Sequence, residues 1–231
     1  MRVIYWMATF IALAGVWGSA PSHAETAPRI LAMGDSLQAW NSTKGASIPD
    51  IVGRHLGTKV RSRAASGARI IYALPISGAM GMRIESQFKG SEWDWVILNG
   101  GGNDFLLGCG CKACDGRLNR MIDKTGRAGA IPQLVAKIRR TGAQVIYLGY
   151  LRSPGRGSLI ESCKDEGDAF EARLATMAKG WKGVHFLSIA DLVPHGDLSF
   201  HDADRIHPSV KGSAAIAGRV VNLIRKHSSR K

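Results

Sequence analysis

The sequence predicts an α/β fold, a doubly wound parallel sheet of flavodoxin-like size. Three observations predict it. Short apolar, β-branched segments recur along the chain. Stretches of helical period separate them, which implies right-handed crossovers and a parallel sheet covered on both faces. Glycine-rich or polar turns follow the strand segments, at the edge where open α/β sheets bind ligands.

The amino terminus stands apart from this pattern. Arg2 precedes an apolar stretch from Val3 to about Ala20, followed by Pro21, Ser22, His23 and Ala24. Small residues at Ser22 and Ala24 form a cleavage signal, so residues 1–24 are expected to be a signal peptide rather than a membrane anchor. Thr9, Gly15, Gly18 and Ser19 interrupt the apolar run and favour that reading. The product is expected to be exported, periplasmic or secreted, with residues 25–231 as a single domain.

The first strand segment, Arg29 to Met33, ends on Gly34-Asp35-Ser36-Leu37. Ser36 is thereby presented at the carboxyl edge of the sheet as a candidate nucleophile. A serine there can also simply cap the following helix. The second segment, Thr58 to Ser62, leads into Ala64-Ala65-Ser66-Gly67, where small residues leave a backbone N–H free to point into a site. The third, Trp95 to Asn99, is followed by Gly100-Gly101-Gly102-Asn103-Asp104, which adds a side-chain amide donor. The fourth and fifth run from Gln144 to Tyr150 and from Val184 to Ile189. Ile131, Leu134, Val135 and Ile138 predict a helix that stops at Gly142. Phe170, Leu174 and Met177 predict another before Gly180, and Ile216, Val220, Val221 and Ile224 a last one after Pro208. Before that helix, Asp204 stands three residues ahead of His207.

These parts suit one chemistry. A serine hydroxyl needs a base to take its proton, the base needs a carboxylate to orient it, and the tetrahedral intermediate needs donors aimed at its oxyanion. Ser36, His207 and Asp204 supply the first three. The N–H groups of Ser36 and Gly67 and the Asn103 amide supply an oxyanion hole. His201 lies nearby but lacks a carboxylate at that spacing.

In these blocks the chain resembles the GDSL, or SGNH, hydrolase family, from Gly34-Asp35-Ser36-Leu37 through Gly67 and Gly101-Gly102-Asn103-Asp104 to Asp204-Arg205-Ile206-His207-Pro208-Ser209. The resemblance covers about residues 29 to 225. It implies a three-layer α/β/α fold and those same roles for the matching residues. It also implies hydrolysis of acyl esters or thioesters, lipid-derived ones included, with no cofactor and no metal. Gln38 and Ser62 depart from the usual pattern and leave the substrate open. The alternative classes are an envelope polysaccharide O-acetylesterase or acyltransferase, and a non-catalytic acyl-binding relative.

Two further features bear on partners and stability. The formal charge of +13 favours weak association with an anionic membrane surface, and the absence of an aromatic-and-basic reading motif argues against nucleic acid. Cys109, Cys111, Cys114 and Cys163 could bind zinc, but an even count in an exported chain points to disulfides. Two pairings remain open: Cys109–Cys114 with Cys111–Cys163, or Cys111–Cys114 with Cys109–Cys163. Leu74, Pro75, Ile76, Met80, Met82 and Phe105-Leu106-Leu107 are expected to crowd the mouth of the site.

Overall fold

The structure is a computed structural model that describes residues 27–155 and 157–228. The expected signal peptide, residues 1–24, lies outside the described residues. Strands β1 (Ile30–Met33), β2 (Arg61–Ser62), β3 (Trp95–Leu98), β4 (Gln144–Leu148) and β5 (Val184–Leu187) form one parallel sheet in the order β2-β1-β3-β4-β5. That order reverses direction at β1 and β3, which is where a doubly wound sheet opens a crevice.

Because successive strand residues face opposite sides, each strand feeds two cores. Leu31, Met33, Val96, Leu98, Val145 and Tyr147 pack on one side. There they meet α6 (Ala130–Arg139) through Leu134 and Ile138, and α7 (Lys164–Gly180) through Phe170 and Leu174. Ile30, Trp95, Ile97, Ile146 and Leu148 pack on the other, against α2 (Ile48–Leu56) and α8 (Val210–Ser228). The three central strands are buried throughout apart from the half-buried Gln144, which is why they read as continuous apolar runs. Shorter helices sit on the connections: α1 (Ser36–Ala39), α3 (Pro75–Ser77), α4 (Gly102–Leu106) and α5 (Asp115–Met121). The fold is the expected doubly wound, three-layer α/β/α architecture.

The second strand is shorter than the predicted segment from Thr58 to Ser62. Only Arg61 and Ser62 pair, with Leu31 and Ala32. The reason lies in the preceding helix, because α2 ends with Gly57 in a left-handed conformation and the Thr58 N–H closes back on the Gly53 carbonyl at 3.0 Å. That N–H serves the helix terminus, so the chain joins the sheet only after it has cleared the cap.

Candidate active site

The turn that presents Ser36 is held by two side chains on the backbone of Gly34 and Asp35, those of Gln87 and Asn99. Gly34 has φ +153°, and a Cβ there would lie 1.8 Å from Asn99 Oδ1, so no other residue fits. Gln87 bonds the same glycine twice, accepting from its N–H at 2.7 Å and donating to its carbonyl at 2.9 Å. Asn99, at the end of β3, accepts from the Asp35 N–H and donates to Asp35 Oδ1 at 2.6 Å. The buried Asp35 carboxylate also accepts from the Leu37 N–H at 3.0 Å and from the Tyr150 hydroxyl. Burial pushes this carboxyl up, against hydrogen bonds from Tyr150, Asn99 and Leu37 that favour the anion. Asp35 is therefore the cap of α1, and the Ser36 hydroxyl is left for another partner.

That partner is His207. Its Nε2 lies 2.7 Å from Ser36 Oγ, and its Nδ1 lies 2.5 Å from Asp204 Oδ2. A carboxylate only accepts, so Nδ1 carries the proton given to Asp204 and the Nε2 lone pair faces the serine hydroxyl. Asp204 Oδ1 accepts from the N–H groups of Ile206 and His207 at 2.9 and 3.0 Å, which folds the loop so that carboxylate and imidazole meet. Burial raises the Asp204 carboxyl, but the His207 ring and these two N–H groups together hold it below the usual carboxylate range. His201 is buried in the same loop and is not on the serine.

The second and third blocks are tied to this turn. The Ala65 N–H donates to the Gly34 carbonyl at 3.1 Å, and the turn continues through Gly67 at φ +79°. The Asn103 amide donates to the Ala68 carbonyl at 3.1 Å, using one of its two N–H bonds. Asp104 is fully buried and accepts from the N–H groups of Ile70 and Ile71, each at 2.8 Å. Burial pushes its carboxyl up to about 6 in spite of those two bonds and of Arg117 nearby. Asn103 and Asp104 thus staple their loop to the Gly67 loop. Gly101 lets that loop pass over the core, since a Cβ there would fall 2.7 Å from the Phe170 ring.

Beside Ser36 opens a cavity of about 430 Å³. Its apolar wall comes from Phe105 and Leu106 of α4, and from Leu151, Ile160 and Ile206. Arg152, Glu161, Lys164 and Asp168 make the other wall polar. Arg152 is held there by Asp168 and Glu171, at 2.9 and 3.4 Å. Of the apolar residues expected at the mouth, only Phe105 and Leu106 line this cavity. Leu74, Ile76 and Met80 are exposed instead, because the chain after Gly67 turns outward through α3, and Leu107 is exposed at the end of α4. The cysteines pair as Cys109–Cys114 and Cys111–Cys163, and Cys163 stands in the cavity wall.

Sequence reasoning missed the supporting residues. Asn99, Gln87 and Tyr150 are remote in sequence from the turn they hold, and nothing local marks them. Trp40 was missed as well; it stands four positions after Ser36 as the residue that ends α1. Its indole stacks on the His207 ring, with centroids 3.8 Å apart and planes 8° from parallel, and its Nε1 donates to Asp202 Oδ2 at 2.8 Å.

A serine, an imidazole and a carboxylate in line at the carboxyl edge of a doubly wound sheet form the constellation that serine hydrolases use. The chain belongs to the GDSL-like lipase/acylhydrolase family, whose profile matches residues 32–215. No curated protein matches it. Among solved structures it is similar to TesA at 20% identity, covering 83% of this chain and 95% of that one, with a TM-score of 0.59. The psychrotrophic esterase EstA from Pseudoalteromonas sp. aligns at 17% identity over 87% and 99% of the two chains, TM-score 0.57. A family two carbohydrate esterase from Clostridium thermocellum, in complex with cellohexaose, aligns at 18% over 91% and 67%, TM-score 0.59. At these identities the likeness is one of fold.

Proposed function

We propose that the protein is an exported serine esterase that hydrolyses acyl esters or thioesters, with Ser36 as nucleophile. The observation that carries this reading is the 2.7 Å contact between Ser36 Oγ and His207 Nε2, backed by Asp204 and opening into a largely apolar cavity. His207 takes the hydroxyl proton as Oγ attacks the carbonyl carbon. The N–H groups of Ser36 and Gly67 and the Asn103 amide receive the oxyanion. His207 then returns the proton to the departing alcohol or thiol, leaving an acyl-serine. Water, deprotonated by the same imidazole, attacks the acyl-serine and releases the acid and free Ser36. No step calls for a cofactor or metal.

The apolar wall of Phe105, Leu106, Leu151 and Ile160 supports acyl chains longer than acetyl. The polar wall around Arg152 supports the second reading, an O-acetylesterase or acyltransferase acting on an envelope polysaccharide. Residues 25–231 form the mature domain in this reading, after removal of residues 1–24. Among the described residues no helix is long and apolar enough to cross a membrane. A series of p-nitrophenyl esters from acetyl to palmitoyl, beside acetylated xylan, separates the readings. Medium-chain esters are expected to give the highest kcat/KM, and preference for acetylated sugar over every lipid-like ester promotes the second reading. Ser36→Ala is expected to lower turnover by several orders of magnitude with the fold intact, and a fluorophosphonate to label Ser36. Activity near that of the parent in Ser36→Ala excludes both enzymatic readings as assigned.

A further inference from the structure

His207 is gripped in its own plane by two hydrogen bonds, one at each ring nitrogen. In-plane bonds resist sliding of the ring but resist tilting about the line through the two nitrogens only weakly. One of them also disappears during turnover, because an acylated Ser36 has no hydroxyl proton to offer. At that stage the imidazole must keep its place on Asp204 and on whatever covers its face.

Trp40 covers it. The residue closes the single turn of α1, with its N–H donating to the Ser36 carbonyl at 2.8 Å, so its backbone is registered to the nucleophile. Its ring lies flat on the imidazole at 3.8 Å. Behind it, Asp202 holds the indole N–H at 2.8 Å. Asp202 is itself fixed to the histidine loop, since its N–H donates to the His207 carbonyl at 2.8 Å and its Oδ1 accepts from the Ala203 N–H. A closed circuit results, running from Ser36 through α1 to Trp40, through Asp202 to the His207 loop, and back across the 2.7 Å contact to Ser36.

Such a circuit does more than hold a ring flat. An aromatic face attracts a cation, and the imidazole becomes one each time it accepts a proton. A carboxylate on the indole N–H pushes electron density into the ring and strengthens that attraction. We infer that Trp40, anchored by Asp202, is a positioning residue that steadies His207 and favours its protonated form in the transition state. This inference rests on the assignment of His207 as the base. The charged and titratable groups facing the pair are Asp204 on Nδ1, Asp35 beneath Ser36, Asp202 with Lys44 beyond it, and His195 in the cavity wall. All of them are shared by parent and variants, apart from Asp202 in its own substitution.

The test compares Trp40→Phe, Trp40→Leu and Asp202→Asn on a soluble p-nitrophenyl ester, with circular dichroism to establish folding. In Trp40→Leu, kcat is expected to fall about 5- to 20-fold with KM within twofold, from lost orientation and lost cation attraction together. The acid limb of its kcat/KM profile is expected to move to lower pH by about half a unit, because the protonated ring has lost support. Trp40→Phe keeps a weaker aromatic face and is expected to fall between parent and Trp40→Leu. Asp202→Asn is expected to shift the limb in the same direction by less. Indole fluorescence supplies a second readout, since an imidazolium against the ring quenches it. The emission lost between Trp40→Phe and the parent should titrate with the midpoint of the parent's acid limb. An unmoved acid limb in folded Trp40→Leu, or a loss carried wholly by KM, overturns the inference. Activity abolished in Ser36→Ala beside that result would leave the proposed function standing.

Discussion

At the level of single residues, the site is a set of carboxylates used for different ends. Asp204 meets the imidazole, Asp35 caps α1, and Asp104 staples two loops. The environment of each follows its task. Asp104 is the most exposed to pH in its effect, because burial raises its carboxyl to about 6 from the ordinary value of 3.8. Between those two values the folded protein holds a proton that the unfolded chain has released. Stability from this group is therefore complete below about pH 4 and is lost as pH rises through 6, by about 3 kcal/mol. Asp104→Asn does not titrate, so the stability difference between parent and variant should shrink by about that amount from pH 4 to 7. Urea unfolding at both values measures it. A difference that does not change with pH would mean that Asp104 stays ionised in the folded state.

Elements set how firmly the cavity walls stand. One wall is α4 and the other is the segment from Tyr150 to the start of α7, and the Cys111–Cys163 bridge joins them. Its loop of 52 residues restrains the unfolded chain, so Cys111→Ser with Cys163→Ser should lower stability by about 2–4 kcal/mol. Turnover should fall more than KM rises, since Asn103 stands on the loosened wall and, in the proposed mechanism, receives the oxyanion. Denaturant unfolding and steady-state kinetics of the double variant check both, and unchanged kcat would show that the Asn103 and Asp104 bonds hold that loop without the bridge. At this scale the sequence was largely legible. Strands β1, β3 and β4 announced themselves because both their faces are buried, and α6, α7 and α8 because one face is. What was illegible depends on contacts between distant segments: the choice between two disulfide pairings, the Tyr150 to Asp35 bond, and the outward path of residues 74–82. Local pattern carries no record of such partners.

For the whole molecule, the exposed apolar side chains gather on connections that leave the strands. In a parallel sheet every connection that leaves a strand begins at the same edge, and the exposed Leu74, Ile76, Met80, Leu107 and Leu159 all lie on such connections. With the formal charge of +13 on the whole sequence, the weak association with an anionic membrane surface expected from the sequence can be tested on these residues. Co-sedimentation with phosphatidylglycerol vesicles should be measurable at low salt, weaken as salt rises, and drop in Ile76→Ser with Met80→Ser. Hydrolysis of a soluble ester should be unaffected in that variant. Equal binding to neutral phosphatidylcholine vesicles would remove the role of charge.

The path of α8 decides how the molecule can be tethered. The helix begins just past His207 and runs about 28 Å away from it, until Arg225 bonds the His55 carbonyl at the foot of α2. Thr58, beside that foot, bonds the Pro28 carbonyl, so the described chain begins and ends at the end of the molecule opposite the cavity. Anything fastened at residue 27 or beyond Ser228 therefore faces the catalytic mouth outward, away from its support. Immobilisation on a bead by either end leaves the mouth open to solvent, which suits an assay. In a cell the same geometry sets two arrangements against each other. A retained amino-terminal leader would hold the mouth away from the lipid to which it is anchored, whereas a released protein can roll over and settle mouth first.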